Sequence, residues 1–359
     1  MSGKLLLPGL IDPHVHLRDP GQTHKEDFYT GTSAALAGGF TTILDMPNNK
    51  IPITTLEKLR EKIKIAKEKI VCDVGFYFGS LGNNLEEFKK IQSKVYGLKL
   101  YLNETTGNFL INKHLLKAIL TAWSTSLHSS RFYENKPILV HAEDKMLDAV
   151  IKLVKMFGNK VHVCHISSSF DLRQVIKAKE NNLPITCGVT PHHLFLTESD
   201  VRCLGSFGKM KPPLPSKKDH DFLWENLKFI DVVESDHAPH TIEEKRGDNL
   251  PFGVPGLETT LPLLLTAMLE KRLTIEDIVR LCHTNPAKIF HIKTDPKTRI
   301  EIDLSQEYII ENKNLFTKCK WSPFNGWKVK GKVKRVFIRG KKVFENGKIL
   351  AKPGFGKVI

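Results

Sequence analysis

Leu10-Ile11-Asp12-Pro13-His14-Val15-His16 decides how the rest of the chain is read. An apolar run leads into two histidines spaced two apart. On an extended strand, residues at i and i+2 project to the same side, so His14 and His16 share a face. The same rhythm recurs down the chain. Short apolar runs cover residues 10–16, 41–46, 72–78, 97–102, 137–141, 161–165, 184–189 and 229–235. Between most of them lie amphipathic stretches at 25–37, 54–68, 84–91, 113–122, 144–156, 170–179 and 217–227, and two more follow at 258–269 and 274–283. The last opens with Thr274-Ile275-Glu276-Asp277, a capping-box-like start in which Thr274 can accept from first-turn amides.

Continuous apolar strands alternating with helices indicate a parallel sheet covered on both faces. Eight such units favour a (β/α)8 TIM barrel over an open doubly wound sheet. From about Thr298 the pattern shifts to short β-like runs punctuated by Gly340 and Gly347. The expected organisation is an α/β barrel over 8–297, with 1–7 and 298–359 forming a small β-rich appendage from the two termini.

Catalytic groups of such a barrel sit at the C-terminal ends of its strands. Run one ends in His14 and His16, run four contains Lys99, run five ends in His141, run six in Cys164-His165, and run eight leads into Asp236-His237-Ala238-Pro239-His240. Zinc takes imidazole nitrogen and carboxylate oxygen, and a catalytic site leaves a position open for water. A second metal needs a bridging anion. A lysine beside two cations can react with CO2 as the neutral amine and become a bridging carbamate, which accounts for Lys99 within an apolar strand, where an unpaired charge is costly. Singly, each residue has an ordinary explanation: His-x-His pairs are common, Lys99 can snorkel, His141 and His165 can be satisfied core histidines, and Asp236 can cap a helix. Their coincidence at strands one, four, five, six and eight is what points to a two-metal site.

The 359 residues suit one barrel with additions, and 41% hydrophobic residues can bury a large core. No apolar stretch approaches the ~20 residues of a membrane span, and the apolar run at the start of the chain is too short for a signal peptide. The six cysteines form no C-x-x-C pair, which together with the N-terminus suggests a cytoplasmic protein. The formal net charge of +15, from 54 Lys+Arg against 39 Asp+Glu, is spread over helix-like stretches. It reads as a solvated surface, with no nucleic-acid motif beside it.

With those residues set out, the chain resembles the dihydroorotases of the amidohydrolase superfamily, above all the dihydroorotase domain of the multifunctional animal pyrimidine-synthesis protein. The matching runs include Pro8-Gly9-Leu10-Ile11-Asp12, His14-Val15-His16-Leu17-Arg18-Asp19-Pro20-Gly21, Met46-Pro47-Asn48, Gly97-Leu98-Lys99-Leu100-Tyr101-Leu102-Asn103-Glu104-Thr105, Pro191-His192-His193, Ser235-Asp236-His237-Ala238-Pro239-His240-Thr241 and Pro255-Gly256-Leu257-Glu258-Thr259. The resemblance implies that His14, His16 and Asp236 hold one zinc, that His141 and His165 hold another, and that carboxylated Lys99 bridges them. It implies that Arg18 and Asn48 bind a substrate carboxylate with His240 beside it, that Gly253 offers its backbone to the substrate ring, and that 102–108 is a loop closing over the site with Thr105 touching substrate. The implied reaction interconverts N-carbamoyl-L-aspartate and L-dihydroorotate in pyrimidine biosynthesis, with Asp236 moving the proton. A homodimer and an aspartate transcarbamoylase partner are further implications.

Some positions depart from the animal pattern. Gly188 stands where that domain has a glutamate that contributes, with the cysteine equivalent to Cys164, to an additional zinc site, so no third zinc is expected. Lys211 replaces an arginine, and Thr106 replaces an aromatic residue of the closing loop. Other dihydroorotases carry a longer N-terminal segment, so a reduced appendage is expected. The competing readings are another cyclic amidase (hydantoinase or allantoinase) and a catalytically silent scaffold for the transcarbamoylase. Arg18 and Asn48 argue against the first, and the full set of six metal ligands against the second.

Overall fold

A computed structural model describes residues 3–105, 109–127 and 136–359. Thr106 of the expected closing loop lies outside the described residues.

The barrel strands run in chain order: Leu10–Val15, Phe40–Asp45, Asp73–Phe76 continuing as Phe78–Gly79, Leu98–Tyr101, Ile138–His141, Val161–Val163, Ile185–Val189 and Val232–Val233. Neighbours pair in parallel throughout. A parallel bridge between Val15 and His237 closes the eighth strand onto the first. The third strand breaks at Tyr77, whose hydroxyl donates to the Pro13 carbonyl at 2.9 Å. Burial on both faces is complete in strands one, four and five, as expected when helices cover the outside and side chains fill the inside.

The helices follow from their periodicity and caps. Asp144–Phe157 buries Leu147, Val150 and Val154 along one stripe and stops at Gly158, whose φ of +69° suits a residue without a Cβ. Thr274 accepts from the Asp277 N–H at 3.1 Å while the Asp277 carboxylate accepts from the Thr274 N–H, so the capping box forms. The expected helix over 274–283 is shorter. It runs Ile275–Val279, opens into a π-turn at Arg280–Thr284 and resumes as Asn285–Ile289. Pro286 lacks the N–H that a regular turn would use there, and the wider turn absorbs its loss. Strand eight also shrinks from the expected 229–235. At its start the Asp231 carboxylate accepts the Cys187 N–H at 2.7 Å, and at its end Asp236 turns the chain with a φ of +43°.

A five-stranded antiparallel sheet stands beside the barrel, in the order Lys4–Pro8, Arg299–Ile309, Lys328–Ile338, Lys341–Glu345, Lys348–Ile349. Ile300, Val333 and Val336 of that sheet share one hydrophobic core with Leu261 and Leu264 of the helix Thr260–Leu269. The sheet therefore buries its apolar face on the barrel's outer layer, and the two pack as one body.

Candidate metal centre

Three side chains meet first at strands one and eight. The Asp236 Oδ1 atom lies 3.2 Å from His14 Nε2 and 3.1 Å from His16 Nε2. On the other side, His141 Nδ1 faces His165 Nε2 at 3.0 Å. His14, His165 and Asp236 present ligand atoms within 4.8 Å of one another, which joins the two groups. Lys99 is fully buried; its Nζ donates to Cys164 Sγ at 3.1 Å and sits 4.9 Å from the Tyr101 ring centre. Among the described residues no carboxylate lies within ion-pair distance of it. The structure thus gathers His14, His16, Lys99, His141, His165 and Asp236 at one end of the barrel.

The backbone is bent to do this. Arg18, His165 and Asp236 have φ values of +62°, +39° and +43°. Non-glycine residues rarely adopt this left-handed region, and such strain concentrates where function over-determines geometry. Each bend falls within three residues of the end of a barrel strand.

The electrostatics suit a cation. Burial alone would raise the Asp236 carboxyl, but His14 and then His16 hold it well below the usual carboxylate range. Burial pulls His16 down to about 3 and also lowers His141 and His165, so these imidazoles are neutral and can donate lone pairs. Burial works against protonation of His14 as well, yet the Asp236 charge lifts it to about 10. A proton and a metal compete for that nitrogen. On the far sides of these rings, His14 Nδ1 reaches only Glu234 at 3.5 Å, His141 Nε2 reaches Glu143 at 3.4 Å, and the buried His165 Nδ1 has no hydrogen-bond partner, so His14 Nε2, His16 Nε2, His141 Nδ1 and His165 Nε2 are the nitrogens turned to a common centre with Asp236. Buried polar atoms are rarely left unpaired, and imidazole nitrogens with one carboxylate are a zinc donor set. The residues fit the expected metals.

Two buried carboxyls escaped the reading of the sequence. Asp12 accepts from the His14 N–H at 3.0 Å and from the Ser235 N–H at 3.2 Å, tying strand one to strand eight; burial pushes it up to about 7. Glu234 is fully buried, accepts from the His165 N–H at 2.6 Å, and lies 3.4 Å from His162 Nε2 and 3.5 Å from His14 Nδ1. Burial would raise it, but His14 and His162 pull it below the ordinary range. A Cβ on Gly188 would meet the Glu234 carboxyl carbon at 2.5 Å. The carboxylate absent from position 188 is therefore replaced in space by one from the next strand. His14, Cys164 and Glu234 form a second donor cluster within 4.8 Å. The signal was available: Glu234 interrupts an apolar run two residues before Asp236.

The expected substrate contacts are mixed. Arg18 is buried, donates from Nε to the Pro239 carbonyl at 3.2 Å, and has one terminal nitrogen 3.1 Å from His240 Nε2. Asn48 Oδ1 instead lies 2.7 Å from His16 Nδ1, where it fixes the tautomer that turns His16 Nε2 toward Asp236. Thr105 is half-buried at the edge of the described segment. The two backbone groups of Gly253 are both engaged: its N–H donates to Lys209 O at 3.2 Å and its carbonyl accepts from Lys245 Nζ at 3.1 Å. Lys211 Nζ sits 5.6 Å from the Phe252 ring centre, beside the same loop.

The amidohydrolase family pattern matches residues 5–184. The chain is 43% identical, over its whole length, to the multifunctional protein CAD of Squalus acanthias, of which it spans only 16%. It is 39% identical over its whole length to a dihydroorotase of Pyrococcus horikoshii, covering 85% of that protein. Among solved structures, an L-hydantoinase (dihydropyrimidinase) from Arthrobacter aurescens superposes with a TM-score of 0.92 at 26% identity, covering 99% of this chain and 89% of that one.

Proposed function

This chain belongs to the dihydroorotase branch of the amidohydrolase family, and from that premise we propose that it is a dihydroorotase, which closes N-carbamoyl-L-aspartate to L-dihydroorotate with release of water and runs the reverse hydrolysis. The observation that carries the reading is the clustering of His14, His16, His141, His165 and Asp236, with Lys99 on the neighbouring Cys164, beside the buried Arg18–His240 pair. The barrel is taken as 8–297, with 1–7 and 298–359 as its appendage.

In this reading His14, His16 and Asp236 hold one zinc, His141 and His165 hold the other, and Lys99, carboxylated, joins them. When bound, the metals polarise the amide carbonyl and make water acidic enough to attack near neutral pH. The chain supplies the rest. Asp236 has Oδ1 between two imidazoles, which leaves Oδ2 to take a proton and return it to the ring nitrogen. Arg18 has donated Nε and one terminal N–H inward, so the remaining guanidinium edge can grip a carboxylate with two bonds. Asn48, its oxygen set against His16, binds the same carboxylate through its amide N–H, with His240 beside it. The Gly253 carbonyl, with a lone pair to spare, accepts from a ring N–H. Thr105 contacts substrate from the loop.

The protein is further read as a cytoplasmic homodimer with an aspartate transcarbamoylase as candidate partner. Among the described residues no helix is long and apolar enough to cross a membrane. The deciding experiment is metal analysis of the purified protein with assays of carbamoyl aspartate cyclisation at acidic pH and dihydroorotate hydrolysis at alkaline pH. Turnover of hydantoin with none of dihydroorotate assigns it to the other cyclic amidases. Protein that stays metal-free and inert after zinc and bicarbonate are added is a silent scaffold.

A further inference from the structure

Lys245 is fully buried on the short helix Ile242–Arg246, just outside the site. Its ammonium donates to three main-chain carbonyls: Lys209 at 2.9 Å, Pro251 at 3.1 Å and Gly253 at 3.1 Å. Those three bonds use every donor that a lysine has. Among the described residues no carboxylate lies within ion-pair distance, and the Trp321 ring, 5.5 Å away, offers the one further compensation that the geometry shows. An unpaired buried charge is expensive, so a lysine in this setting is held for what it organises.

The three carbonyls belong to two separate segments. Lys209 precedes Lys211, and residues 251–253 follow strand eight. The Gly253 N–H also donates to Lys209 O, so one oxygen receives both segments. Neighbouring bonds lock the second segment further. Ala238 N–H donates to Val254 O at 2.9 Å, and His237 pairs with Val254 in a parallel bridge. Gly253 has a φ of +127°, and a Cβ there would meet Ala238 at 2.7 Å, so the loop lies flat against the residues that follow Asp236.

We propose that Lys245 is a positioning residue for substrate: by gathering the Lys209, Pro251 and Gly253 carbonyls it fixes where the Gly253 carbonyl and the Lys211 segment meet the bound ring. This rests on the dihydroorotase reading for the identity of the ring, but not for the existence of the clamp. Lys245 touches neither metal ligand nor reacting atom, so its loss acts on binding before it acts on the chemical step.

The test is steady-state kinetics of zinc-loaded Lys245→Met and Lys245→Gln beside the unaltered protein, with zinc content measured for each. The methionine variant is expected to raise KM for dihydroorotate about tenfold or more while kcat stays within about threefold, as uniform binding is lost. Glutamine keeps two donors and falls between the two. A KM for the folded, metal-replete methionine variant within about twofold of the unaltered protein overturns the clamp, including when only thermal stability has dropped. If the unaltered protein acts on another cyclic amide, KM for that amide is read instead. If it is inert, hydrogen exchange at the Gly253 and Ala238 amides is read, with a tenfold or greater acceleration expected on the order of one lost hydrogen bond. Unchanged exchange overturns the proposal, whereas the unaltered protein's own assay alone decides the dihydroorotase reading.

Discussion

The metal cradle and the substrate rim lie a few residues apart, yet they are built in opposite ways. In the cradle, His141 and His165 turn ring nitrogens toward each other, and one Asp236 oxygen is crowded between the rings of His14 and His16. In the rim, Arg18, Lys245 and the Gly253 backbone have been supplied with main-chain partners. Lone pairs crowded together in a buried place are costly unless a cation arrives to accept them, whereas a satisfied network is rigid by itself. The cradle therefore depends on cations for its completion, and the rim is assembled beforehand to receive an anion.

The largest effect should come from breaking the cradle at Lys99. Lys99→Ala is expected to lower activity about 10³-fold or more, the scale of losing a principal charge-stabilising group. It should also reduce the zinc held per chain, read by elemental analysis. Activity and zinc that both survive would remove Lys99 from the centre. Chelation of the unaltered protein should lower its thermal midpoint, since a ligand that binds only the folded state stabilises by about 4 kcal/mol at a thousandfold excess over Kd. Little change on chelation would mean that the cradle is stable empty and differs less from the rim than its crowded lone pairs suggest.

Next in size is Glu234, which stands behind His14 and His165. Glu234→Gln keeps the shape and removes the charge. Zinc retention against a competing chelator should fall about 10–100-fold, the usual cost of losing a partner behind a metal-binding histidine. Gly188→Ala should weaken retention in the same direction, because its Cβ would meet the Glu234 carboxyl at 2.5 Å. If the alanine leaves zinc binding untouched, Glu234 is not constrained by that contact.

The rim responds differently. Arg18→Lys exchanges a planar fork for a point charge. Metal content should not change, while KM for dihydroorotate rises about tenfold, consistent with a charged hydrogen bond worth about 1.5–3 kcal/mol. Loss of zinc in that variant would show that the two regions are not separable.

The candidate ligands of the cradle could be picked out by strand pattern, whereas the candidate residues of the rim came from resemblance. Strand periodicity placed His14, His16, Lys99, His141 and His165 on or just after apolar runs, and the barrel's closure brings their ends together whatever the details of packing. Asp236 followed from the same rule. Glu234 did not, because its partners His14, His162, His165 and Gly188 come from three other strands and meet only when the barrel closes. Lys245 was harder still. Glu243-Glu244-Lys245-Arg246 reads as a solvated charged stretch, and a five-residue helix is too short for periodicity to say which side is buried. Asn48 was assigned to substrate by resemblance, and the contact of its oxygen with His16 had no signal in the sequence.

The smallest effect separates burial from imidazole contact as the cause of the cradle's ionised carboxylates. Glu258 is partly exposed, as Asp236 is, but among the described residues its hydrogen bonds come from the Phe316 and Thr317 N–H groups, at 2.9 and 3.0 Å. With no imidazole beside it, burial wins and pushes it up to about 7. Its folded pKa lies above the ordinary value of 4.5. The folded chain thus binds more protons than the unfolded chain between those two values, and stability from this group is full below that window and lost as pH rises through it. Glu258 also lines a cavity of about 340 Å³, roomy enough for water to soften the penalty. The loss should then be on the order of 1 kcal/mol, less than the full shift converts to. Urea unfolding at pH 5 and pH 7.5 should show the unaltered protein losing more stability across that interval than Glu258→Gln, which has no proton to give up. Equal losses in the two proteins would place the pH dependence elsewhere and leave burial, not the absence of imidazoles, unproven as the reason that Glu258 differs from Asp236.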